Sequence, residues 1–209
     1  MEFIVRYGVE LEEDRVKKAL EQLEWYKEHG YNPMFPASCD PENDSIEEIL
    51  DSLRKEYVHR DYERAKNNLL EALEPTKDSF LETLRDVFGK EVPDTYTIRL
   101  TKYGVGGSYG LPSGMVINFV SQELAADTVY HEIIHLMIES DTQHHEIQHW
   151  EKERIVDLIL HSEKFSFLNY KKWQKNNYNG VGEYIDPLFK KYFFTDCERF
   201  FTEIASNRL

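Results

Sequence analysis

The chain has 209 residues, with 25 lysines and arginines against 39 aspartates and glutamates, a formal net charge of −14. That length supports a sizeable core, and that charge repels phosphate backbones and anionic lipid, which excludes nucleic acid and membrane surfaces as expected partners. No apolar run is long enough to cross a bilayer, and the start lacks a basic stretch followed by an apolar one, so the expectation is a cytoplasmic protein with Cys39 and Cys197 as free thiols.

In chain order, Leu11, Ala19, Leu20, Leu23 and Tyr26 recur near one face and predict a helix over 11–29, stopped by Gly30. Three prolines make 31–43 a loop. A second helix starts at Asp44 or Ser45, carries Glu47 and Glu48 in its first turn and runs to Leu73. Pro75 interrupts it, and TKDSFLETLRDVFG predicts a third helix ended by Gly89. The period then changes. TYTIRL (95–100) alternates as a strand does, a glycine-rich stretch follows, and MVINFV (115–120) is a second strand. Helices over 121–140 and 145–162 flank a turn over 141–144. An aromatic-rich segment, a loop over 177–184 and a last helix after Pro187 complete the chain. Helices, then a small sheet, then helices predict an α+β fold.

The pattern H-E-x-x-H occurs twice, at His131–His135 and at His145–His149. Histidines four apart on a helix lie one turn apart on one face, so both rings can reach one ion. The glutamate between them points about 100° away and is free to handle a water. Context separates the copies. Val129, Ile133, Ile134, Leu136, Met137 and Ile138 surround the first, so its polar groups are buried and need a partner, which a metal supplies. The second opens a polar helix and reads as surface histidines.

A catalytic zinc takes three protein ligands and keeps one position open. If the two helices form an antiparallel hairpin centred near His144, Glu153 is level with His135 and Asp157 with His131. Glu153 then becomes the third ligand, and Asp157 accepts from the outer ring N–H of His131. The rival is a resemblance to metzincins, whose motif implies a third ligand six residues after the second histidine, here Asp141. That motif has glycine three residues after the histidine, where this chain has the β-branched Ile138.

His131-Glu132-Ile133-Ile134-His135 followed by Glu153-Arg154-Ile155-Val156-Asp157 resembles the gluzincin group of zinc metallopeptidases, the thermolysin-like branch of the zincins. The resemblance covers roughly residues 95–160 and nothing in 1–90. It implies one zinc ion on His131, His135 and Glu153, Glu132 as general base, and Asp157 behind His131. It also implies a zincin-like catalytic region over 91–209, a small, mostly antiparallel sheet packed on the active-site helix; the helical periodicity of 1–90 makes that stretch an N-terminal helical region expected to form one compact unit with it. In that family a substrate strand lies along the sheet edge, here the glycine-rich 104–110. A tyrosine or histidine opposite the base stabilises the oxyanion, with Tyr178, Tyr184 and His149 as the choices. The implied activity is hydrolysis of a peptide or protein substrate. Another amide, or a binding or regulatory module with a structural or vestigial zinc, are the alternatives, and a fourth ligand such as His145 or His149 would favour the module.

Overall fold

The computed structural model describes residues 1–89, 91–120, 125–173 and 180–207. The fold is α+β. The chain forms two units, one of Met1–Pro75 with Thr95–Val129, the other of Thr76–Asp94 with Tyr130–Leu209.

In the first unit, helices α1 (Val9–Glu21), α2 (Leu23–Glu28), α3 (Ile46–Glu56) and α4 (His59–Leu73) accompany strands β1 (Glu2–Arg6), β2 (Thr95–Thr101), β3 (Gly107–Gly110) and β4 (Gly114–Asn118). Ser45 caps α3 as the sequence predicts, its hydroxyl accepting from Glu48 N–H while the Glu48 carboxylate accepts from Ser45 N–H. Two predicted helices are each broken in two. The first breaks at Gln22, and the second at Tyr57 and Val58, whose extended backbone interrupts the run without a glycine or proline to announce it. Val16 of α1 meets Ile49, Leu50 and Leu53 of α3 and Tyr103 in a shared core.

The sheet order is β1-β2-β4-β3. β1, which the sequence reading passed over, runs parallel to β2, β2 runs parallel to β4, and only β3 and β4 are antiparallel. The expectation of a mostly antiparallel sheet is therefore corrected to a mixed one. The reason lies in the connection after β2. Gly104 pairs its N–H and C=O with Met34 at 2.7 and 2.9 Å, drawing the chain away from the edge of β2. β4 occupies that edge, and β3 becomes the outer strand. The glycine-rich stretch thus does form a sheet edge.

The second unit holds α5 (Lys77–Phe88), α7 (His149–Leu160), α8 (Gly182–Leu188) and α9 (Cys197–Ser206), with most of α6 (Ala125–His144). Gly89 ends α5 in the left-handed region at φ 56°, as predicted. Pro187 lies within α8, and the last helix starts at Cys197, capped by the Asp196 carboxylate. Phe80, Tyr130 and Phe165 form one aromatic cluster, and Phe189, Phe193, Phe200 and Phe201 another. Among the described residues neither cysteine forms a disulfide. Among the described residues no helix is long and apolar enough to cross a membrane.

Candidate metal centre

Residues Thr128 to Glu139 of α6 are buried on every side. Their apolar members, from Val129 to Ile138, hold the helix in place, and three polar residues ride along with them. His131, Glu132 and His135 are 2%, 5% and 3% exposed.

α6 runs to His144, four residues beyond the end expected from sequence. It closes in a Schellman motif, with Ile147 N–H donating to Thr142 C=O and Glu146 N–H to Gln143 C=O. The left-handed position is filled by Glu146 at φ 53°, not by glycine, so no sequence signal marks the stop. The turn is therefore 145–148. His145 falls in it and His149 opens α7, so the second H-E-x-x-H straddles a turn and its histidines share no helix face. His145 stacks on Phe201 and, with the exposed His144 and Glu198, forms a separate surface group.

α7 brings Glu153 to the first motif. Glu153 Oε2 is 3.1 Å from His131 Nε2, and Oε1 is 3.2 Å from His135 Nε2. The two Nε2 atoms are 3.0 Å apart. Glu153 reaches both rings although the turn centre is later than 144, so the height-for-height matching of a tight hairpin is not what pairs them. The neighbouring cations are engaged elsewhere, Lys152 with Glu139 at 3.4 Å and Arg154 with both oxygens of Asp186 at 2.8 and 2.5 Å. Glu153 is thus not a helix-face charge paired along its own helix.

The surroundings differ from the sequence reading in one respect. Asp157 is fully buried, but its Oδ1 is 4.0 Å from His131 Nδ1, beyond hydrogen-bond reach. The Tyr170 hydroxyl stands 3.2 Å from that nitrogen. Tyr170 follows a six-residue 3₁₀ turn (Glu163–Leu168) and Asn169 in the left-handed region, and no spacing rule ties it to the motif. Its neighbour His161 packs edge-on to it and stacks on Trp173. The other named candidates lie elsewhere. The Tyr184 hydroxyl donates to Glu151 at 2.6 Å, His149 packs against Trp150, and Tyr178 is outside the described residues. Asp141 does not join the cluster of ligand atoms, which holds His131, His135 and Glu153 within 4.8 Å of one another.

Burial drives the His131 pKa from an ordinary 6.5 down to about 4, against the pull of Glu153. Burial pushes His135 down as well, but the charges of Glu153 and Glu132 outweigh it and leave its pKa raised. Burial pushes Glu153 up, and the two histidines reverse this, holding its carboxyl well below the usual range. Without metal the site is a buried Glu153 carboxylate against two imidazoles, of which His135 takes a proton the more readily. Stability from Glu153 is present above its ordinary pKa and is lost as pH falls through its lowered one. Stability from His135 is present below 6.5 and is lost as pH rises through its raised value.

These donors fit zinc. Tetrahedral ligands at 2.0–2.1 Å from an ion lie about 3.4 Å apart, so the triangle of donor atoms needs to open by only a few tenths of an ångström. Two neutral imidazoles and a carboxylate are the donor types of a catalytic zinc site. No protein-family profile, curated protein or solved structure matches this chain.

Two consequences can be measured. A metal must displace the His135 proton, so zinc affinity should fall by about a decade per pH unit below that group's pKa. Calorimetry in buffers of different ionisation heat should show one proton released per ion; a flat profile would refute the assigned protonation. Tyr170→Phe should lower zinc affinity about tenfold, the low end for a group that orients a ligating imidazole. Competition against a zinc-binding dye reads this, and an unchanged value would reduce Tyr170 to packing.

Proposed function

We propose that the chain is a zinc-dependent hydrolase cleaving peptide bonds, a metallopeptidase of the gluzincin type with a zincin-like catalytic region. The observation that carries this reading is the convergence of His131, His135 and Glu153 from two helices onto one buried point. These three would hold the ion through the two Nε2 atoms and the Glu153 carboxylate. When bound, zinc supplies Lewis-acid polarisation and makes water acidic near neutral pH. Glu132, next to His131 on α6 and buried, acts as the general base. Its carboxylate accepts a proton from the attacking water and returns it to the leaving nitrogen. Tyr170 holds the outer nitrogen of His131, fixing which ring nitrogen faces the ion.

The rival, a binding or regulatory module with a structural or vestigial zinc, calls for a fourth protein ligand. Among the described residues the cluster holds three, which favours the hydrolase. The test is metal analysis of the purified chain followed by a peptide-library assay. One zinc per chain is expected, with cleavage abolished by a chelator and restored by zinc. A zinc-loaded chain inert toward every peptide would overturn the hydrolase reading.

A further inference from the structure

In this acidic chain many cations sit against carboxylates, as Lys27, Arg54, Lys102 and Arg154 do at 3.0 Å or less. Arg6, Arg15, Lys18 and Arg99 differ. None has a carboxylate within ion-pair range among the described residues. All four line one cleft of the first unit, of about 580 Å³, where a single acid, Asp14, faces them.

The sheet explains how they meet. Register pairs Arg6 with Arg99, Arg99 with Val116, and Val116 with Ser108. Side chains at paired positions share a face, so Arg6 and Arg99 stand side by side, a like-charge pair that disfavours the sheet unless an anion lies over it. α1 forms the facing wall. Leu11, Asp14, Arg15 and Lys18 follow three- and four-residue spacing and fall on one side of that helix. Arg15 Nη1 reaches across to Ser108 Oγ at 3.3 Å, joining wall to floor.

Arg15 is the most telling of the four. It is 7% exposed, and its Nε and Nη2 have no acceptor among the described residues. A buried guanidinium without a counter-ion is costly. A Cβ at Gly104 would fall 2.5 Å from Nε and 2.7 Å from Nη2, and Gly104 has a φ of +74°. Only glycine suits that backbone and lets the guanidinium pack so closely. That edge is sealed against Gly104, so Arg15 acts on the cleft through its charge.

We propose that this cleft binds a small polyanion through phosphate or carboxylate groups held by Arg6, Arg99 and Lys18, with the buried charge of Arg15 behind them. Its volume lies in the range of small-molecule sites. The overall charge of −14 turns away nucleic acid, whereas a small anion responds to the local field of the cleft.

The test is titration of the whole chain with inorganic phosphate and, separately, succinate, two dianions that hold zinc weakly, followed through arginine Nε–H NMR signals. Saturable shifts of the Arg15 and Arg99 signals are expected with at least one probe. Phosphate alone would assign a phosphoryl ligand and succinate alone a carboxylate. Arg6→Ala and Arg99→Ala alter exposed side chains and should each weaken binding about tenfold, the worth of one charge-assisted hydrogen bond. Lys18→Ala should weaken it as well, with the fold checked by thermal melting. Lys55→Ala, outside the cleft, should change nothing. Binding of neither probe, or binding indifferent to Arg6→Ala and Arg99→Ala, overturns the proposal. So does an equal loss in Lys55→Ala, which would reduce it to general charge attraction.

Discussion

Glu132→Gln is expected to cut peptide hydrolysis by about 10²- to 10⁴-fold, the usual worth of a positioned proton-transfer group, while zinc stays bound. The amide fills the same space but cannot take a proton. Glu132 is not one of the three donor atoms, so metal content should be that of the parent chain. Metal analysis and the chelator-sensitive assay read the two properties separately. A variant that holds zinc and cleaves at full rate would remove Glu132 from the reaction.

Glu153→Ala should lower zinc affinity by more than about 100-fold, because groups that only orient a ligand are already worth 10- to 100-fold. Without Glu153, burial should lower the His135 pKa, so the zinc-free chain should lose at mildly acid pH the stability this pair provides. Glu153→Gln keeps the volume and separates the two effects. Asp141→Asn is the control, because Asp141 lies outside the donor cluster. If Glu153→Ala left affinity intact and Asp141→Asn destroyed it, the third ligand would move to Asp141 and the hydrolase reading would lose its main support.

The site was more legible in the sequence than the fold around it. The i, i+4 histidines needed only a helix, and the apolar run around them supplied both the helix and its burial. Glu153 followed from assuming a hairpin, even with the turn misplaced by a few residues. Tyr170 was invisible, because a 3₁₀ turn and one left-handed asparagine bring it back to His131 and neither carries a countable spacing. The α6 stop was invisible for a related reason, a glutamate standing where glycine is the usual signal. In the first unit the apolar stripe of α1 was read correctly as a helix but not as a burial map. The buried positions include Glu12 and Arg15. Glu12 is satisfied by Tyr62, Thr101 and the Lys102 N–H, partners 50 to 90 residues away.

By itself the sequence determined what local chemistry dictates. It gave helices from periodicity, the Ser45 and Gly89 caps, two of the strands, and the pairing of His131 with His135 on one helix face. Tertiary structure decided whatever depends on residues meeting across long separations. β1 adds a parallel edge strand because β2, some ninety residues later, offers it an unpaired edge. β3 is pushed outward because Gly104 is held by Met34. Arg6, Arg15 and Arg99 line one cleft because strand register and one helix face coincide there. Those outcomes rest on backbone hydrogen bonds and buried charges whose partners no local pattern names.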